Sequence, residues 1–179
     1  MAIFTTNESK DLALDWVILS DGGVALYWRP EILRDDLSWL ESKGYRTVSF
    51  DASDWRSEDR MHDSLKAHLS FPEYYGNNLN ALDECALDDL VISDTGGLAL
   101  ALNHYDRFVA ALPRRGEQEK STAEVVLDIF ARAVRFHMLL GRRLLILVQS
   151  DDPGIQFDRL GGISAQWNRR EWLNKDRGL

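Results

Sequence analysis

Phe71-Pro72-Glu73-Tyr74-Tyr75-Gly76-Asn77-Asn78-Leu79-Asn80-Ala81-Leu82 joins a loop to the start of a helix. Pro72 and Gly76 punctuate residues 71–77 as a loop. Asn78 then offers the short side-chain acceptor that the unpaired N–H groups of a helix N-terminus need, so the spacing predicts a helix running to about Asp88. On that helix Leu79, Leu82, Ala86 and Leu90 share one face. Asn80, Glu84 and Asp88 recur at i, i+4 and i+8 along a polar stripe roughly 100° away, bordered by Asp83 and Leu87. A tyrosine-bearing loop therefore leads into a helix with one apolar and one acidic side.

Upstream, Trp16–Ser20 and Val24–Trp28 are β-prone runs joined by Asp21-Gly22-Gly23, which reads as a hairpin. Pro30 opens a helix carrying Ile32, Leu33, Leu37 and Leu40, stopped by Gly44. Arg46–Asp51 alternates like a strand, and a helix over Glu58–Leu69 follows with Met61, Leu65 and Leu69 on its apolar stripe. Downstream, Leu98–Leu102 and Leu144–Gln149 are apolar without alternation, the pattern of strands buried on both faces. Between them come a short helix over Asp106–Leu112, a charged connection over Pro113–Lys120, and a long helix to Leu140. That long helix opens on a capping box of Ser121 and Glu124 and closes at Gly141. In the tail, Ile155–Phe157 and Ile163–Trp167 flank Gly161-Gly162 as a second hairpin candidate.

Strands separated by helices require crossover connections and a parallel sheet, so the fold class is α/β. The expectation is one domain over 1–179 with about three core strands, extended by edge strands from the two terminal hairpins. A length of 179 residues suits a single core, and 45% apolar residues with six tryptophans argue for a packed globule.

Composition excludes several functions. The lone cysteine, Cys85, rules out an internal disulfide and a multi-cysteine metal site. Met1–Lys10 is polar, unlike a signal peptide, and no apolar run approaches the roughly 20 residues of a membrane span, so a cytoplasmic location is expected. A net charge of −8 disfavours nucleic acid and anionic membranes as partners. Between Lys66 and Arg107 there is no Lys or Arg, while Glu73, Asp83, Glu84, Asp88, Asp89, Asp94 and Asp106 all fall there. Such segregation suits a surface that meets a basic partner.

No catalytic or cofactor pattern emerges. Glu58 and His62 sit at i, i+4, but a metal site needs three or more converging ligands, and His68, His104 and His137 lie on other turns and elements. Cys85 sits in acidic surroundings, which oppose a thiolate. Gly22-Gly23, Gly96-Gly97 and Gly161-Gly162 lack any phosphate-loop pattern and read as turns. Asp83 and Glu84 splay apart on a helix and cannot form an acid–base pair. The chain is expected to be a binding protein with no cofactor and no metal.

The string PEYYG followed by N-L-x-A-L, with Cys85 and the surrounding order of elements, resembles the barstar (barnase inhibitor) family over roughly residues 45–150. Residues 1–44 and 151–179 are then extensions packed on a barstar-like core. The resemblance implies an intracellular inhibitor or immunity protein that occludes the basic site of a cognate secreted ribonuclease or toxin. Carried over by position, it implicates Tyr74, Gly76, Asn78, Leu79, Asn80, Asp83, Glu84 and Arg132, with Leu87 and Asp88 beside them on the helix. The chain departs from the family pattern here. Asn80 replaces a carboxylate, Asp83 a tryptophan and Glu84 an aspartate, while Arg132 stands where a glutamate is usual. The resemblance therefore implies a partner whose surface matches this altered patch, or a non-inhibitory interaction module that keeps the fold.

Overall fold

The computed structural model describes residues 13–93, 95–114, 120–157 and 159–179. Asp94, residues 115–119 of the charged connection, and the polar N-terminal decapeptide lie outside the described residues. Five strands form one parallel sheet: β1 (Val24–Tyr27), β2 (Tyr45–Asp51), β3 (Gly97–Asn103), β4 (Leu144–Gln149) and β5 (Gln166–Trp167), in the order β2-β3-β4-β1-β5. Six helices accompany them: α1 (Leu14–Ser20), α2 (Pro30–Ser42), α3 (Glu58–Leu69), α4 (Leu79–Asp88), α5 (Tyr105–Ala111) and α6 (Thr122–Leu139). The α/β parallel sheet is thus the architecture the sequence pattern calls for.

The order of the strands fixes where the helices lie. The chain crosses from β1 to β2 in one direction along the sheet and then steps back through β3 to β4. Right-handed crossovers running in opposite directions lie on opposite faces, so α2 covers one face and α3 to α6 the other. Burial follows: every residue of β1 and β4, and all of β3 but its last, is buried, whereas edge strand β2 is buried only at its first residue, Tyr45, and at Phe50.

Neither expected hairpin forms a pair of strands among the described residues, and the strands drawn from the extensions join the sheet differently. Residues 14–20 form a helix, not a strand: Ile18 and Leu19 point inward, and Asp21, Gly22 and Gly23 donate back to Val17, Leu19 and Ile18 as a helix terminus. A short apolar run has no period of its own strong enough to distinguish strand from helix. Gly23 serves a close approach as well as a turn, since its φ is +80° and a Cβ there would lie 2.2 Å from Val134 Cγ1 of α6. The following strand, β1, lies inside the sheet, with Val24 opposite Ile146. At the other end Gly161 and Gly162 do turn the chain, but only as a single bridge between Leu160 and Ile163. Only Gln166 and Trp167 reach the sheet, parallel to β1.

Buried carboxylates bolt the extensions on. Asp15 of α1 accepts from Tyr45 Oη and Arg143 Nη1, each at 2.9 Å, tying the helix to the starts of β2 and β4. Asp36 of α2 accepts from Tyr27 Oη at 2.9 Å, Asn168 Nδ2 at 2.7 Å and Arg170 Nη2 at 2.5 Å. Glu171, fully buried, accepts from the backbone N–H groups of Trp28 and Arg29 just ahead of α2, and from Arg29 Nε. Arg177 stacks over Trp167 at 4.2 Å while donating to Pro153 O, Glu171 O and Trp172 O. Removing one side of such a buried charged network strands the donors it served. Glu171→Ala should therefore cost about 2–3 kcal/mol of unfolding free energy in a urea titration, whereas substitution of exposed Glu31 should cost almost nothing.

Candidate functional site

The loop from Phe71 to Asn77 is held from both ends. Helix α3 stops at Ser70, whose left-handed backbone (φ 57°) returns the chain, with Phe71 N donating to Lys66 O. Tyr75 is buried at 4% exposure against Phe71, their ring centroids 5.0 Å apart, and its hydroxyl shares a 2.5 Å hydrogen bond with His62 Nδ1. Tyr74, one residue earlier, is 73% exposed and donates to both carboxylate oxygens of Asp89 at 2.8 and 2.9 Å. Asn77 Nδ2 donates to Asp63 Oδ1 at 3.0 Å, a second anchor to α3. The anchors Asp89, Asp63 and His62 carry no local signal and emerge only in the fold.

Asn78 caps α4 as its spacing predicts, accepting from Ala81 N at 2.9 Å while its Nδ2 donates to Gly76 O. A Cβ on Gly76 would meet that amide at 3.0 Å, so the residue leaves room for the cap. Leu82, Ala86 and Leu90 are buried, Leu79 half-buried, and Asn80, Glu84 and Asp88 exposed in one line. Asp83 and Leu87 border that line half-buried. Among the described residues Glu84 and Asp88 make no hydrogen bond or ion pair. Cys85 is buried on the inner side, and burial together with nearby Asp89 pushes its thiol pKa up to about 12, so the sulfur stays protonated and unreactive at neutral pH.

Helix α6 packs along α4, and His137 Nε2 bonds Ala86 O at 2.9 Å across the contact. One turn earlier on α6, Arg132 Nη2 donates to Asp83 Oδ2. The two positions where charge departs most from the resemblance, Asp83 and Arg132, are thus paired with each other. Neither presents an isolated charge. The remaining unpaired negative charge of the α4 surface is carried by Glu84 and Asp88.

Other candidate groupings dissolve. Glu58 accepts from Thr122 Oγ1, and His62 is turned to Tyr75, so this i, i+4 pair does not converge. No group of three or more potential metal ligands gathers among the described residues. No helix there is long and apolar enough to cross a membrane.

Residues 45–149 match the family model described as Barstar (barnase inhibitor), more than half of the chain, and the chain belongs to that family. A curated protein of Bacillus subtilis (strain 168), named "Putative ribonuclease inhibitor YrdF", is 45% identical over 40 residues. That stretch is 22% of this chain, and it covers 44% of the relative, so less than half of the relative's length is matched.

Burial lowers the pKa of His62 below its ordinary 6.5 against the opposing pull of Glu58, Asp59 and Asp63, and burial lowers that of His137 likewise. A depressed histidine is neutral in the fold and takes up its proton on unfolding, so its contribution is complete above pH 6.5 and lost as pH falls below it. Unfolding free energy should decline from pH 7 to pH 5 in urea titrations, and His62→Gln should decline less, having one titrating imidazole fewer.

Proposed function

We propose that this chain inhibits a ribonuclease by covering the enzyme's basic active site with α4 and the Tyr74–Gly76 loop. The observation that carries this reading is the exposed line of Asn80, Glu84 and Asp88, whose two carboxylates have no partner among the described residues, beside a loop anchored at Tyr75 and Asn77. A ribonuclease must attract phosphate and therefore concentrates positive charge at its site. Carboxylates held on a rigid helix meet that charge without the entropy loss of ordering a loop. The names of the family and of the Bacillus relative agree with this reading. The contact set is Tyr74, Gly76, Asn78, Leu79, Asn80, Asp83, Glu84, Leu87, Asp88 and Arg132. Within it, Asn78 acts by capping α4, and Asp83 with Arg132 presents a neutralised pair. The cognate enzyme is expected to be a secreted ribonuclease or toxin against which the chain protects the cell that makes both.

A second reading follows from the pairing of Asp83 with Arg132, which leaves only part of the surface charge free. In it the fold serves as an interaction module for a protein other than a nuclease. The extensions are poor candidates for that surface, because Arg170 is bound by Asp35 and Asp36 and Trp167 lies under Arg177. Deleting residues 151–179 would open the core instead of reporting on binding.

The deciding experiment mixes the purified chain with the ribonuclease encoded beside its gene and follows RNA cleavage. Stoichiometric loss of cleavage is expected, and undiminished cleavage would sink the inhibitor reading. Glu84→Ala should weaken that complex by at least about 2 kcal/mol, roughly thirtyfold in Kd, with thermal stability unchanged because the side chain is exposed.

A further inference from the structure

A second polar surface lies on α3, away from the α4 line, and it mixes both signs of charge, with Arg56 and Arg60 beside Asp54 and Asp63. Arg56, Arg60, Ser64 and His68 recur at every fourth residue, so from Arg60 onward they stack along one face of α3, about 6 Å of rise apart. They line a groove of about 590 Å³ between α3 and the turn that follows β2, with Trp55 and Asp54 on the turn side. The guanidinium groups of Arg56 and Arg60 make no hydrogen bond or ion pair among the described residues. Asp63, which also borders the groove, accepts from Asn77 of the loop, and among the described residues no carboxylate bridges to either arginine.

The remaining groups are set up to meet a ligand. His68 Nδ1 faces Ser64 O at 2.8 Å, and since a carbonyl oxygen only accepts, Nδ1 must carry the hydrogen. The neutral imidazole then presents Nε2 as an acceptor, away from that bond. Packing against Phe50, with ring centroids 5.3 Å apart, holds the imidazole in this orientation. The groove therefore combines two planar, charged donors, a hydroxyl, an acceptor nitrogen and the uncommitted carboxylate of Asp54. Guanidinium pairs bind phosphate in bidentate fashion, while the acceptors call for N–H or O–H donors on the same molecule. A phosphate ester bearing a polar ring fits both demands, and the groove has the volume for one such molecule.

We propose that this groove binds a small phosphate ester of mononucleotide size, its phosphate on Arg56 and Arg60 and its polar body toward Asp54 and His68. The site is independent of the inhibitory surface on α4. A long nucleic acid is a poorer fit, because the chain's net charge of −8 opposes a polyanion that extends beyond the groove. An acidic peptide would also satisfy the arginines, and the polyglutamate arm of the titration separates it from the nucleotide.

The test titrates adenosine 5′-monophosphate into the full-length chain and follows backbone amide NMR shifts. Saturable changes centred on residues 54–68 are expected, weakened at least tenfold by the double substitution Arg56→Ala/Arg60→Ala and unaffected by Glu84→Ala. Inorganic phosphate should perturb the arginines more weakly, and adenosine alone should not bind. Both arginines are exposed, so the double variant should keep its Tm; Arg60→Gln, which retains the aliphatic stem, gives a second measurement. Absence of saturation, unchanged binding in the arginine variants, or shifts produced by a polyglutamate peptide but not by the nucleotide would each overturn the proposal.

Discussion

The strand Leu144–Gln149 is buried along its whole length and pairs on both sides, with β3 on one and β1 on the other. Its sequence, Leu-Leu-Ile-Leu-Val-Gln, would make a hazardous sheet edge, because an apolar strand with unpaired N–H and C=O groups recruits other strands. The matched family core ends at this strand, at residue 149. Residues 24–27 and 166–167 cover it, and much else follows from that need. Tyr27 is carried inward to Asp36, Gln149 donates to Trp28 O, and the tail must return to pair with β1. The added strands are also short, so the exposed rim that results is only two residues long.

Because strand pairing alone cannot hold so short a rim, charge is used in the interior. Glu171, Asp36 and Asp15 each gather two or more donors from separate parts of the chain. Buried charge adds little net stability compared with apolar packing, but it penalises any register that leaves a carboxylate unpaired. This gives the extensions one defined seat on the core. It also explains why two basic residues near the C-terminus are engaged within the fold, Arg170 by Asp35 and Asp36 and Arg177 by backbone carbonyls.

The candidate surfaces sit on the opposite side of this design and depend on it less. Helix α4 is fixed by its apolar face and by His137 bonding to Ala86 O, which frees its outer residues from structural duty. Charge there is sorted by pairing. Asp83 and Arg132 cancel one another, Asp89 steadies Tyr74, and Glu84 and Asp88 are left to meet a partner. On α3 the signs are mixed, with Asp63 accepting from Asn77 and the guanidinium groups of Arg56 and Arg60 sharing a groove with Asp54. A chain of net negative charge thereby offers two chemically distinct faces flanking one loop.

Local chemistry settled a large part of this in the sequence itself. The Asn78 cap, the Ser121–Glu124 box and the apolar stripes of α2, α3 and α4 depend on neighbours within one or two turns, so they could be read directly. The strands Leu98–Leu102 and Leu144–Gln149 were legible because burial on both faces leaves an unbroken apolar run. Trp16–Ser20 was not, since a run of apolar residues suits a strand or a buried helix alike, and contact with the rest of the chain made the choice. Tertiary structure alone decided the strand order, the burial of Glu171, the reach of Arg170 to Asp36, and the meeting of Asp83 with Arg132 across 49 positions of sequence. Those outcomes depend on which distant groups share a low-dielectric space, and no local pattern in the chain encodes that.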